Sequence, residues 1–173
     1  MMKVALPRVG NLGACGMSEA RIVARNGNLL VIQCKHCGVN VTVLKTFDGE
    51  HKDADLLNGT VEFAALSPNN KYVFLLSRGR GYLFQLDEDR KSLLESHIFK
   101  DLPRGAATAI AVSDDGVMAI GTNVGYVHTY VVDGHPVHDE RYIDASDAVS
   151  EMAFLGNRLY VLYGGAPRVL ALE

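Results

Sequence analysis

The fold class predicted is all-β: antiparallel sheets of about four strands, repeated along the chain. Three observations predict it. Short apolar runs recur throughout and are stopped by Gly, Asp, Asn or Pro at spacings of roughly eight to twelve residues, the rhythm of antiparallel strands joined by tight turns. No stretch carries a sustained 3.6-residue apolar period, which excludes a helical repeat. The pattern also recurs at long range, since Ser67 and Ser113 head equivalent turns 46 residues apart. A sheet of that size cannot bury both faces alone, so successive units must stack, as the blades of a propeller do.

Taken in order, residues 1–17 read as a short extended piece and a loop with Gly10, Gly13 and Gly16. Those glycines lack the Lys-Ser/Thr ending and the strand-to-helix setting of a phosphate loop. Glu19 to Arg25 reads as a strand leading to the turn signal Asn26-Gly27. Leu29 to Cys34 is nearly all apolar, the pattern of a strand covered on both faces, and Val39 to Val43 alternates strictly. The polar stretch Phe47–Asn58 is either a weak outer strand or a loop.

The second unit holds Val61–Leu66, Tyr72–Leu76, Tyr82–Asp87 and Ser92–Phe99, with turns at Ser67-Pro68-Asn69-Asn70 and Arg78–Gly81. The third holds Ala109–Val112, Val117–Ile120, Tyr126–Val132 and a weaker run, Val137–Ile143. The fourth holds Val149–Leu155, Leu159–Tyr163 and Val169–Leu172 and stops after three strands. The expected organisation is one module, 1–173, with blades at about 18–58, 59–100, 105–145 and 146–173. Four blades with an incomplete last one leave an open edge, and open edges invite pairing. Either residues 2–9 supply the missing strand and close the ring, or the propeller is partial and is completed by another chain, self-association included, or by missing sequence. The partial propeller is the expectation, four blades being the bottom of the known range.

Composition narrows the function classes. The chain is 48% hydrophobic and 21% charged with net charge −3, so no basic face is offered to nucleic acid. No apolar run approaches the ~20 residues of a membrane span, and the N-terminus lacks a signal-peptide core. Three cysteines, an odd number, argue against a disulfide framework and fit a reducing, cytoplasmic location.

Cys34-Lys35-His36-Cys37 supplies half of a zinc site or a redox pair, which makes a small metal-binding or redox domain the alternative function. Cys15 and His51 lack the spacing of a second ligand pair, and no metal or cofactor is expected. Gly134–Glu140 gathers His135, His138, Asp139 and Glu140, which reads as a solvated outer strand before a metal or acid–base site. Arg78, Arg80 and Arg104 lie beside glycines in loops. Near Tyr82 they are the candidate partner-binding residues, Arg and Tyr being enriched where interfaces bind most strongly. No Gly-x-Ser-x-Gly elbow or His-Glu-x-x-His motif is present, and a non-enzymatic interaction scaffold is expected.

The units resemble WD-repeat blades. Ser-Pro-Asn-Asn-Lys from Ser67 and Ser-Asp-Asp-Gly from Ser113 match that family's turn between first and second strands. Gly121 to Val127 resembles its Gly-x-x-x-Gly-x-Val hairpin. The chain departs in having no Trp: Leu86-Asp87 and Tyr130 stand at the strand ends where the Trp-Asp pair falls. Residues 106–155, with Val112-Ser113, Gly121-Thr122, Gly125, Tyr130 and Val149 to Leu155, are similar to the last blades of the prolactin regulatory element-binding protein family. That resemblance implies a degenerate relative of a guanine nucleotide exchange factor for vesicle export. It also implies a small GTPase as partner and a place at the cytosolic face of the endoplasmic reticulum. Gly10 to Gly16 carries no Lys to match the family's exchange loop, which puts exchange activity in doubt.

Overall fold

The computed structural model describes residues 17–47, 54–86, 93–99, 105–130, 139–142, 147–156, 158–164 and 168–172. They form four antiparallel sheets. The first contains β1 (Met17–Asn26), β2 (Leu29–His36), β3 (Val39–Thr46) and β4 (Ala54–Asn58), in that spatial order. The second contains β5 (Phe63–Leu66), β6 (Tyr72–Ser77), β7 (Arg80–Leu86) and β8 (Leu93–Phe99). The third contains β9 (Ala107–Val112), β10 (Met118–Thr122), β11 (Tyr126–Tyr130) and β12 (Asp139–Tyr142). The fourth contains β13 (Val149–Leu155), β14 (Arg158–Tyr163) and β15 (Arg168–Leu172), three strands among the described residues. Residues 2–9, the candidate fourth strand for that sheet, lie outside the described residues.

Each sheet is a meander, and the first strands of successive sheets, β1, β5, β9 and β13, neighbour one another along the inner wall. Burial explains the stacking. Leu29, Val31 and Leu44 of the first sheet meet Val73, Leu75 and Phe84 of the second. Phe74, Leu76 and Leu83, on the second sheet's other face, meet Ile110, Met118 and Ile120 of the third. Ala109, Ala119 and Val127 meet Met152, Phe154 and Val161 of the fourth. The continuous apolar runs are thus strands buried on both faces. Each large side chain removed from water contributes roughly 1.5–3 kcal/mol. Gly121 of β10 lets the third and fourth sheets approach, because a Cβ there would overlap the Val149 side chain.

The turns between first and second strands define one end of the stack, here the turn end. Ser67 is buried: its hydroxyl receives the amides of Lys71 (3.1 Å) and Tyr72 (2.9 Å) and donates to Asn69 Oδ1 (2.8 Å). Ser113 repeats the device, receiving Val117 N–H at 2.9 Å. Neighbouring turns are also joined. Asn26 Nδ2 donates to the carbonyls of Ser67 (3.0 Å) and Pro68 (2.9 Å). Asn69 donates its own N–H to Asp114 Oδ1 at 2.7 Å and its side-chain amide to the Asp114 carbonyl at 3.1 Å. Asn26 itself is the last residue of β1, so the first turn is centred on Gly27-Asn28, one residue later than the sequence signal.

Candidate functional site

The opposite end carries the hairpins between second and third strands. In the first two sheets these are two-residue loops: His36 pairs with Val39 around Cys37-Gly38, and Ser77 pairs with Arg80 around Arg78-Gly79. All four central residues have positive φ, +50° and +80° for Cys37 and Gly38, +50° and +72° for Arg78 and Gly79. That geometry matches the twist of a two-stranded hairpin, but it places a non-glycine residue in the left-handed region.

The connector from β4 to β5 runs beside the second hairpin and is tied down along its length. Thr42 Oγ1, buried, donates to the Gly59 carbonyl at 3.2 Å, and Ser77 Oγ donates to the Thr60 carbonyl. Gln33 Oε1 receives Val61 N–H at 3.2 Å, Arg21 donates to the Val61 carbonyl at 3.2 Å, and Glu62 N–H reaches the Leu76 carbonyl at 2.9 Å. The Glu62 carboxylate in turn receives Arg78 N–H at 3.0 and 3.1 Å, fixing the hairpin tip.

Between connector and hairpin opens a pocket of about 320 Å³ lined by Leu57, Asn58, Gly59, Ser77, Arg78, Arg80 and Tyr82. Three of the four candidate partner-binding residues therefore meet in one concavity; Arg104 lies outside the described residues. Arg80 and Tyr82 are two apart on β7 and share the face that looks toward the first sheet, where Tyr82 packs on the apolar interface. Arg78 and Arg80 are exposed, and neither guanidinium has a hydrogen-bond or ion-pair partner among the described residues. The third sheet's hairpin differs: Thr122 Oγ1 receives Tyr126 N–H at 3.1 Å and caps its own loop.

A second concavity, about 460 Å³, lies on the axis at the turn end. Arg25, Ala65, Ala111, Glu151 and Phe154 are among its lining residues, drawn from all four inner strands. Sequence reasoning did not find it, because its residues come one strand at a time from positions far apart in the chain.

The cysteine pair is split. Cys34 lies within β2, buried with Ile32 and Val43 on the face away from the second sheet, and is a free thiol. Burial, with a smaller contribution from the Asp55 carboxylate, pushes that thiol above its ordinary range. Cys37 sits at the exposed hairpin tip and is disulfide-bonded, its partner lying outside the described residues. This corrects the expectation of a Cys34/Cys37 pair: the two do not form a dithiol. The strand ends at His36, so the two sulfurs belong to a sheet interior and a turn. No cluster of three metal-ligating side chains occurs among the described residues. His135 and His138 lie outside them.

No family model matches the sequence, and no curated protein matches it. Three solved structures share the fold. The β-propeller domain of Swd1 (Cps50) from Myceliophteria thermophila superposes with a TM-score of 0.60 at 13% identity, over 92% of this chain and 55% of that one. A gluconolactonase from Xanthomonas campestris gives 0.59 at 17% identity, over 95% and 61%. A luciferin-regenerating enzyme gives 0.56 at 14% identity, over 83% and 53%. The chain spans little more than half the length of these structures. The fold is thus a β-propeller's, with four sheets among the described residues. Two of the three similar structures are enzymes, which overturns the non-enzymatic expectation: missing hydrolase motifs cannot exclude catalysis on a fold that enzymes share. Among the described residues no helix is long and apolar enough to cross a membrane.

Proposed function

We propose that this chain is a propeller interaction module that engages a partner protein through its hairpin end. One observation carries the reading. The guanidiniums of Arg78 and Arg80 and the half-exposed Tyr82 line a pocket at that end, the two cations without partners among the described residues. Arg and Tyr are the side chains that anchor interfaces, and a pocket whose walls are hydrogen-bonded in place loses little entropy on binding. Arg104, the fourth candidate from the sequence, is proposed for the same role. A photo-crosslinking amino acid tests this at Val39 or Asn123 on the hairpin end, and at Pro68 or Asp115 on the turn end, within the source cell. A discrete adduct from the hairpin end alone is expected. Equal labelling from both ends, or none, overturns the reading.

The finer reading, a vesicle-export relative acting on a small GTPase at the endoplasmic reticulum, rests on the sequence resemblance alone. A nucleotide-exchange assay with that GTPase decides it, and no acceleration removes it.

The axial cavity supports a second reading, a small-molecule or catalytic site. Its volume of about 460 Å³ lies in the range of ligand pockets, and Glu151 supplies a carboxylate at its wall. Lactone hydrolysis is the assay suggested by the gluconolactonase likeness. Turnover lost in Glu151→Gln supports it, and turnover equal to a blank removes it.

A further inference from the structure

We infer that the pocket between the Leu57–Gly59 connector and the Arg78-Gly79 hairpin is an oxyanion site. Its ligand is a carboxylate or phosphate group carried on an exposed segment of the partner. The inference deepens the interaction-module reading and rests on it. Three independent features point to an anion. The first is charge: Arg78 and Arg80 line one concavity with no carboxylate among its described lining residues, in a protein whose net charge is −3. Glu62, whose two carboxylate oxygens receive the Arg78 amide, is not among the described lining residues. A guanidinium is a planar fork that binds carboxylate or phosphate oxygens in pairs.

The second is the backbone. Arg78 occupies a left-handed turn position where Gly or Asn would cost less. A bulky cation held there against its conformational preference is the pattern of a residue kept for its side chain. The equivalent position of the first sheet, Cys37, also has positive φ, and its side chain is likewise committed, to a disulfide.

The third is shape. At about 320 Å³ the pocket exceeds one oxyanion and has Leu57 and the Tyr82 ring in its wall. It therefore fits a charged head on an apolar stem, with adjoining chain, better than a bare ion. Asn58 offers an amide beside the cations.

The test is an NMR titration of the full chain at low salt, reading the arginine Nε–H signals and the amides of Asn58, Gly59 and Gly79. The probes are inorganic phosphate, an acetylated Glu-Glu peptide and an acetylated phosphoserine peptide. Saturable shifts confined to Arg78, Arg80 and the connector are expected, with affinity roughly ten-fold above that at Arg25, because paired charge-assisted bonds outdo a single exposed cation. The arms identify the source: the stronger peptide names the partner's group, and phosphate alone means a free ion is the ligand, which overturns the partner segment. Arg78→Gly with Arg80→Gln should abolish the shifts while leaving the fold intact. Uniform weak shifts at every arginine, or binding that survives the double variant, overturn the site. Such a failure leaves the crosslinking result standing, so the two readings fail separately.

Discussion

At the turn end the Ser67 hydroxyl is buried and meets three partners. At the hairpin end of the same sheet, the Arg78 guanidinium is exposed and meets none among the described residues. The contrast extends across the stack. Asn26, Asn69 and Asp114 pass hydrogen bonds from turn to turn, so the turn end fastens one sheet to the next. The hairpin end fastens its backbone through Thr42, Ser77, Glu62 and Arg21 and leaves the Arg78 and Arg80 guanidiniums without partners among the described residues. Polar groups that hold the fold are removed from water and paired, because an unpaired buried group costs about 1–3 kcal/mol. Groups available to a ligand must be the ones the fold does not use.

That division can be broken at several points. The largest effect is expected where sheets touch: Gly121→Val would drive side-chain atoms into Val149 and should cost about 3 kcal/mol or prevent folding. Urea unfolding of the variant checks it, and Val149→Ala in the same chain should recover part of the loss. Next comes Ser67→Ala, which leaves the Tyr72 amide without its side-chain acceptor, while the Lys71 amide keeps Asn69 Oδ1, and should cost about 2 kcal/mol. A double-mutant cycle on Asn69→Ala and Asp114→Ala should show coupling of about 1 kcal/mol, absent between Asn69 and Arg78.

A smaller effect concerns Cys34. Its raised pKa means the folded state favours the neutral thiol. That preference is fully present below the ordinary thiol range and is lost as pH rises through the raised value, because the unfolded chain ionises first. Stability should therefore fall above about pH 8.5, less steeply in Cys34→Ala. The smallest shift is expected for Arg78→Gly, which relieves the left-handed backbone and should stabilise by up to about 1 kcal/mol.

Much of the architecture was legible because apolar runs and turn residues report local geometry. The strands from Leu29, Tyr72 and Tyr126 begin where their runs do. The stretch Phe47–Asn58 was ambiguous because β4, Ala54–Asn58, is an outer strand of mixed polarity, and outer strands need no apolar face. A polar network joins the turns. Asn26, Asn69 and Asp114 look like ordinary turn residues until folding brings positions about forty apart into contact. The Cys34–Cys37 spacing misled for a related reason: sequence proximity does not show that a strand ends between two side chains. Arg78, Arg80 and Tyr82 were legible as a group, since one hairpin places them together. Their connector wall was not, as Asn58 and Gly59 come from the preceding sheet.

The most direct measurement compares Ser67→Ala and Arg78→Gly side by side, recording thermal midpoint and affinity for inorganic phosphate or the acidic peptides on each. Ser67→Ala should lower the midpoint by roughly 4–8 °C and leave affinity unchanged. Arg78→Gly should hold or raise the midpoint and weaken binding about ten-fold. If Arg78→Gly instead destabilises the chain while binding persists, the cation serves the fold and the two ends are not divided in this way.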